Sequence, residues 1–161
     1  MRILAIDPGY DRVGIAVLEG DASTPILIHS GCLVTNRKES QSLRLAEIAK
    51  NVQRLISEHK PDILAIEVLY FSVNQKTAIG VAEARGAIIA EAGRAKITVS
   101  EIHPNSVKVA VTGYGATKKQ GVMDMVKRIM KIKKTIKYDD EYDAIAIGIT
   151  TLATLKTKFR Q

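Results

Sequence analysis

Short runs of hydrophobic residues in the first third of the chain predict three strands. Apolar side chains occupy both faces of residues 3–6, which indicates a strand buried on both sides. Pro8 and Gly9 end that strand, because proline lacks a backbone donor and glycine permits unusual backbone angles. Residues 13–18 predict an antiparallel partner, and residues 26–35 a third strand after a polar turn.

A change in the spacing of apolar residues then predicts a helix that crosses to a parallel strand. Ser40 or Ser42 can cap a helix that runs to about residue 59, and its apolar residues recur at helical spacing. The Lys60-Pro61-Asp62 sequence ends this helix. Residues 63–66 are continuously apolar and short, which is typical of a buried parallel strand reached through a crossover helix.

The remainder of the chain alternates predicted helices with one more strand. A long helix rich in Ala and Gly covers residues 74–94, a fifth strand covers 97–102, and a helix or turn covers 107–112. An amphipathic helix follows over 118–131, and a last helix runs from residue 139 to about 155. The order of elements predicts an α/β domain, a mixed sheet with helices on its faces. We expect one domain over residues 1–161, with a basic tail from about 156.

Positive charge is concentrated in one part of the chain. The net charge is +7 over 161 residues, and between positions 108 and 137 nine Lys or Arg residues face one acid, Asp124. Such a local positive field favours binding of a polyanion. A solvated face that serves only solubility is the alternative.

Composition also narrows the cellular setting. No apolar stretch approaches the roughly 20 residues that a membrane span needs, and Asp7 interrupts the place of a signal peptide's apolar core. We therefore expect a cytoplasmic protein that does not enter a membrane. The single cysteine, Cys32, cannot form an internal disulfide and is expected to be a core or strand residue.

Four acids lie against apolar surroundings. Asp7 and Glu67 each follow a buried strand, while Asp140 and Asp143 are three residues apart and so share one face of a helix. If they converge, their repulsion raises their pKa values or is neutralised by divalent cations. All-oxygen ligands suit Mg²⁺ or Mn²⁺, and the sequence offers no Cys/His set for zinc. Acids that hold metal beside a basic segment indicate metal-dependent phosphodiester chemistry.

Residue types alone do not exclude simpler, structural roles for these acids. Asp7 before Pro-Gly could be a turn residue, and Asp140 could serve the helix N-terminus through the helix dipole. The charge that faces Asp7 could be a structural arginine, a ring of backbone N–H groups or a metal.

Six short motifs give the pattern more specificity. They are IDPG at 6–9, GIAV at 14–17, AIE at 65–67, EARG at 83–86, HPNSVKVAVTGYG at 103–115 and DEYDAIAI at 140–147. In this order and spacing the chain resembles the RuvC family of Holliday-junction resolvases over roughly residues 2–155. The resemblance implies an RNase H-like fold, a five-stranded mixed sheet with helices packed on both faces.

The resemblance also implies a function and a site. It implies a homodimeric, Mg²⁺-dependent endonuclease (Mn²⁺ able to substitute) that nicks two strands of a four-way DNA junction symmetrically, in homologous recombination and repair. One or two ions per subunit are expected, and branch-migration proteins are candidate partners. The implied catalytic and metal-binding residues are Asp7, Glu67, Asp140 and Asp143. The implied DNA contacts are Tyr70, Lys108 and Lys119. The neighbouring Lys118 is an alternative match to the same family lysine as Lys119.

Two positions depart from the family pattern. Val68 stands where the family commonly has a polar or acidic residue, and Gly121 where it has Gln.

A YqgF-like nuclease of the same fold, acting on RNA, shares the first motif but lacks the EARG and lysine-bearing segments. A non-catalytic DNA-junction binding module would explain the charge but leave Glu67 unused. An actin-like ATPase needs a second domain that 161 residues can hardly supply.

Overall fold

A computed structural model describes residues 1–69 and 75–158, and all structural statements below refer to these residues. The strands and helices are, in chain order, β1 (Arg2–Asp7), β2 (Arg12–Gly20), β3 (Pro25–Val34), α1 (Gln41–His59), β4 (Ile63–Glu67), α2 (Gln75–Arg94), β5 (Thr98–Ile102), α3 (Pro104–Thr112), α4 (Lys119–Met130) and α5 (Asp139–Lys158). None of the helices in this part of the chain combines the length and hydrophobicity that crossing a bilayer requires.

The five strands form one mixed sheet in the order β3-β2-β1-β4-β5. The first three strands pair antiparallel, whereas β1 pairs parallel with β4 and β4 parallel with β5. The two parallel pairs are reached through α1 and α2, since a parallel connection needs a crossover. All five predicted strands and the mixed sheet are therefore confirmed.

Helices cover both faces of the sheet, and each face has its own core. On one face, α1 and α2 bury side chains such as Ile48, Val52 and Ile88 against Leu4 and Ile6 of β1. On the other face, α3, α4 and α5 pack against the alternate strand residues. Each fully buried Leu or Ile contributes roughly 1.5–3 kcal/mol, so both layers are needed to stabilise a central strand that is apolar on both sides.

The structure corrects several predicted boundaries. Ser40 lies at the cap position of α1, yet its hydroxyl contacts the hydroxyl of Ser42 at 3.1 Å and caps no backbone N–H group. The helix α3 begins at Pro104 rather than at 107, because proline is favourable in the first turn, where its missing N–H has no partner to lose. The last helix continues to Lys158, so its backbone includes the start of the predicted basic tail.

Candidate active site

Two acids leave the sheet side by side at the carboxyl ends of parallel strands. Ile6 of β1 pairs with Ile66 of β4, so Asp7 and Glu67 are the next residues in register. Strand side chains alternate between faces, and Ala5 and Ala65 belong to the core under α5. Both acids therefore point to the α5 face, and their side chains share a hydrogen bond.

The first turn of α5 brings the other two acids to the same edge. Gly14 of β2 lies opposite Asp7, on the face that α5 covers. A Cβ atom at Gly14 would stand 1.9 Å from the backbone oxygen of Asp140 and 3.2 Å from Cβ of Asp7. The missing side chain at Gly14 thus allows the start of α5 to approach β1 closely, which places Asp140 and Asp143 beside the strand acids.

Burial and mutual repulsion act together on the clustered carboxyl groups. Burial raises the pKa of Asp7 well above its usual range, with further increases from the charges of Asp143, Glu67 and Asp140. Burial and then Asp143 raise the pKa of Glu67, although the hydrogen bond from Asp7 opposes the shift. Asp143 also has a raised pKa, with burial as the main cause. Burial and mutual repulsion thus make the ionised forms of Asp7, Glu67 and Asp143 unfavourable together.

Lys119, the first residue of α4, is the cation at the mouth of this cluster. Its Nζ lies 2.6 Å from Asp139 Oδ2 and 2.8 Å from Asp143 Oδ2. Burial disfavours the charged ammonium, but the hydrogen bonds to Asp139 and Asp143 outweigh it and raise the pKa of Lys119. The same contact, chiefly its hydrogen bond, lowers the pKa of Asp139.

Arg12 faces the helix acids from the start of β2. Its Nε lies 3.0 Å from Asp140 Oδ2, and its guanidinium is 5.3 Å from the centre of the Tyr138 ring. Asp140 Oδ2 is buried and accepts no hydrogen bond, so the ion pair with Arg12 is its described polar contact. The arginine considered as a partner for Asp7 therefore faces Asp140 instead.

Further arginines fix the backbone around the acids. Arg85, from the EARG motif of α2, donates through Nε to the carbonyl oxygen of Glu67 at 3.2 Å. The buried Arg44 of α1 stacks on the Tyr10 ring at 3.7 Å and donates to the Tyr10 carbonyl at 3.1 Å. Gly80 of α2 contacts the same ring. The sequence analysis did not identify Arg12, Arg44 or Gly14 as parts of the site. The only signal in the sequence was Gly14 itself, which pairs with Asp7 in the sheet.

The predicted lysines line a cavity that opens beside the acids. This cavity, of about 260 Å³, is lined by the acids Glu67 and Asp143 together with Lys108, Lys118 and Lys119. A larger cavity of about 610 Å³ adjoins the cluster at Asp140 and Arg12. The structure thus brings all three predicted lysines to the acids, whereas Tyr70 lies outside the described residues.

The lysine-rich segment 127–137, which runs from the last turn of α4 to the start of α5, is partly engaged within the protein. Lys134 donates to Glu141 at 2.6 Å and to the carbonyl oxygen of Ser30 at 3.1 Å. Lys127 and Lys137 lie over the Tyr142 and Tyr138 rings, at 5.3 and 5.0 Å. These contacts join the segment to β3 and α5, so not all of its positive charge serves a binding surface.

The donor set fits a hard divalent cation better than any other group. Four carboxylates, with a buried oxygen of Asp140 that accepts no hydrogen bond, supply the oxygen ligands that Mg²⁺ and Mn²⁺ prefer. Across residues 1–69 and 75–158, however, no three His, Cys, Asp or Glu side chains already converge as a formed metal site. Instead, Asp143 and Asp140 are paired with Lys119 and Arg12.

The sheet order, the helices on both faces and the acids at the ends of β1 and β4 define an RNase H-like α/β domain. A sequence model of the family described as "Crossover junction endodeoxyribonuclease RuvC" matches residues 3–151. The chain belongs to the RuvC family.

Individual relatives agree over nearly the whole chain. The protein of that description from Syntrophomonas wolfei subsp. wolfei is 39% identical over 152 residues, covering 94% of this chain and 88% of the relative. The one from Petrotoga mobilis is 41% identical over 146 residues, covering 91% and 90%. The structure of T. thermophilus RuvC in complex with a Holliday junction substrate superposes with a TM-score of 0.92 at 28% identity, covering 98% of this chain and 96% of that one.

Proposed function

We propose that this protein is a metal-dependent endonuclease that resolves four-way DNA junctions by paired symmetric nicks during homologous recombination and repair. The observation that carries the proposal is a cluster of strand-end and helix acids open to a cavity lined by three lysines. Membership of the RuvC family and the likeness to a junction-bound RuvC structure supply the substrate class.

The four acids Asp7, Glu67, Asp140 and Asp143 are proposed to hold one or two Mg²⁺ ions, with Mn²⁺ able to substitute. A bound divalent cation would supply an activated water and stabilise the oxygen that leaves the phosphodiester. Asp7 and Glu67 provide a buried pair whose pKa values are raised by burial and by the neighbouring carboxylates, and the charge of Lys119 only partly offsets this. Neutralising that pair is the favourable event that draws a cation to this place.

The lysines are proposed to orient the DNA backbone over the acids. Lys108 and Lys118 line the cavity without a carboxylate partner described for them, so their ammonium groups can meet phosphate oxygens. Lys119 contacts Asp139 and Asp143, and we propose that it stabilises the negative charge that increases as the phosphodiester bond breaks. Tyr70 is proposed as a base contact on the strength of family resemblance.

We propose that the protein acts as a homodimer, since two symmetric nicks need two active sites. The helix α2 supports this proposal, because Ala84 and Ala92 pack inside the chain while Ile79, Gly86 and Ala90 are exposed on another face. Sedimentation at twice the 17.6 kDa chain mass would support the dimer, and a monomer at working concentration would contradict it. Branch-migration proteins are proposed as further partners, and a cytoplasmic location follows from this role.

A substrate panel tests the function and its two competitors together. The protein is incubated with Mg²⁺ or Mn²⁺ and a four-way junction, a duplex of the same sequence or a structured RNA. We expect efficient cutting of the junction only, with nicks in two opposing strands. Preferential cutting of RNA would favour the YqgF-like class, and tight junction binding without cutting in either metal would favour a binding module.

A further inference from the structure

The connection between α3 and α4, residues 113–118, presents an aromatic ring that the proposed chemistry does not use. Tyr114 is 66% exposed, and Val109 on the preceding helix is 48% exposed beside this connection. Exposed apolar side chains are common on protein surfaces, so the position of this ring beside the proposed active site matters more than its exposure. We call residues 113–118 the α3–α4 loop.

Hydrogen bonds on both sides of Tyr114 hold the loop in one shape. Gly113 adopts the left-handed conformation with φ of 76°, and its N–H donates to the Val109 carbonyl at 2.8 Å. The N–H of Tyr114 donates to the Thr112 hydroxyl at 3.2 Å. The Thr117 hydroxyl donates to the Tyr114 carbonyl at 2.7 Å. The backbone of Tyr114 is therefore fixed while its ring stays open to solvent.

The loop also forms part of the proposed active site. Thr117 lines the cavity that contains Glu67 and Asp143, and Lys118 follows it on the same wall. Lys108 lines the cavity one helical turn before Thr112, and the Thr112 hydroxyl donates to its carbonyl at 2.8 Å. Tyr114 is thus an exposed aromatic residue one hydrogen bond from the cavity wall, flanked by lysines.

This combination of features distinguishes a base from a phosphate as the group that the ring would meet. A tyrosine can meet a phosphate oxygen only through its hydroxyl, whereas its exposed ring can stack on the face of any base. Tyr114→Phe separates the two contacts, because it removes the hydroxyl and keeps the ring. Bases inside a duplex are already stacked on both faces, so only a base freed at a branch point can accept the ring. The neighbouring lysines would hold the backbone on either side of that base.

We propose that the Tyr114 ring is a stacking site for an unstacked nucleobase at the branch point of the bound junction, and so a positioning residue for cleavage. The proposal rests on the proposed function, because it takes junction DNA as the ligand. It concerns a different position from Tyr70, and it is carried by the exposed ring, the fixed loop and the lysine-lined cavity.

The test compares Tyr114→Ala, Tyr114→Leu and Tyr114→Phe for binding to a four-way junction in EDTA, so that no strand is cut. Stacking on one base predicts about tenfold weaker junction binding for Ala and Leu, with Phe close to the unaltered protein. Affinity for a matched duplex should not change, and neither should the salt dependence of junction binding, because no charge is removed. 2-Aminopurine beside the branch point should be less quenched by the Ala variant.

Equal junction affinity for all four proteins would overturn the proposal, and so would an equal loss on the duplex. A changed salt slope would also overturn it, since that result would mean a lost phosphate contact. Leu serves as the second variant if Ala fails to fold, because it retains the apolar bulk without an aromatic face. Failure of the unaltered protein to bind the junction would instead contradict the proposed function.

Discussion

The acids at the strand ends differ from those on α5 in what neutralises them. Asp139, Asp140 and Asp143 on the helix each have a basic side chain within 3.5 Å, supplied by Lys119 or Arg12. Asp7 and Glu67 on the strands have each other. A carboxylate paired with a cation is stable as it stands, whereas two buried carboxyl groups must share a proton or recruit a cation.

This difference divides the work of the site between its two halves. The strand pair lies on β1 and β4 at the centre of the sheet, and under the proposed function it is the half that would bind metal first. The helix acids are held open by long, half-exposed basic side chains that can move. Under the proposed function, Lys119 and Arg12 would exchange Asp143 and Asp140 for a phosphate when the substrate arrives. Because these carboxylates are partly buried, each exchange would cost more than breaking a surface ion pair.

The largest expected effect comes from removing the charge of the strand pair. Asp7→Asn should reduce junction cutting by about 10³-fold or more, because several kcal/mol of stabilisation of the transition state are lost with the metal. Junction binding should stay the same or tighten slightly, since one negative charge is removed. Cutting and binding are measured on the same four-way junction.

The matched control for Asp7→Asn is Asp62→Asn, an exposed acid beside the opposite end of β1, where it accepts from the N–H of Arg2. It should cut at the normal rate. If Asp7→Asn loses both folding and junction binding, Asp7 is a structural turn residue. The proposed division between the two halves of the site would then be wrong.

The next effect in size tests how the two halves are brought together. Gly14→Ala places a methyl group where Asp140 O would be 1.9 Å away, so the first turn of α5 must move. We expect a loss of about 1–3 kcal/mol in unfolding free energy from overpacking, and a loss of cutting larger than that destabilisation explains. Urea denaturation and junction cutting are compared in the same preparations.

Gly31→Ala is the control for Gly14→Ala, because it lies on the neighbouring strand and a Cβ there would meet one atom at 3.9 Å. It should keep both stability and cutting. Normal cutting by Gly14→Ala would show that α5 can withdraw without harm, and that Asp140 and Asp143 need not stand close to Asp7.

The half of the site on the strands was the half that the sequence made predictable. Each continuous apolar run that ends in Asp7 or Glu67 indicates a buried strand, a crossover helix makes the two strands parallel, and the acids can meet if the strands are neighbours. Those local facts bring the two acids to one edge. Their placement in the structure agrees with that prediction, and the fold and the family are confirmed.

The half on the helix was less predictable because its partners come from distant parts of the chain. Arg12 and Lys119 have long side chains, and nothing in their local sequence states which carboxylate they will meet. Lys119 was expected at the DNA, and its contacts with Asp139 and Asp143 became visible only in three dimensions. The buried Arg44 also interrupts the apolar stripe predicted for α1, because its cation is satisfied by Tyr10 and Asp11 across the fold.

A smaller effect is expected from the helix side of the comparison. Lys119→Ala should slow cutting by about tenfold to a hundredfold and reduce the salt slope of junction binding by about 1, through loss of one phosphate contact. Lys119→Arg should retain the salt slope, and Lys50→Ala, an exposed lysine on α1, is the distant control. An unchanged slope with slower cutting would limit Lys119 to organising Asp139 and Asp143.

The smallest effect concerns the pH dependence of stability without metal. In the folded protein the pKa of Asp7 is raised by burial and by the charges of Asp143, Glu67 and Asp140, so the folded state binds more protons than the unfolded state above the ordinary value of 3.8. Stability from this group is therefore present at low pH and is lost as pH rises through the folded pKa. Asp11 and Asp139 have lowered pKa values, chiefly through hydrogen bonds to Arg44 and Lys119, and act oppositely below 3.8.

In EDTA, the Tm of the unaltered protein should therefore fall by a few degrees as pH rises through the raised pKa of Asp7. The Tm of Asp7→Asn should fall less over the same pH range, and it should be higher than that of the unaltered protein at neutral pH. Mg²⁺ should raise the Tm of the unaltered protein more than that of the variant, because a cation that binds only the folded state stabilises it. Thermal unfolding followed by circular dichroism at a series of pH values makes the comparison. Parallel Tm curves for the two proteins would show that the strand pair shares its charge with a partner after all, and the contrast between strand acids and helix acids would disappear.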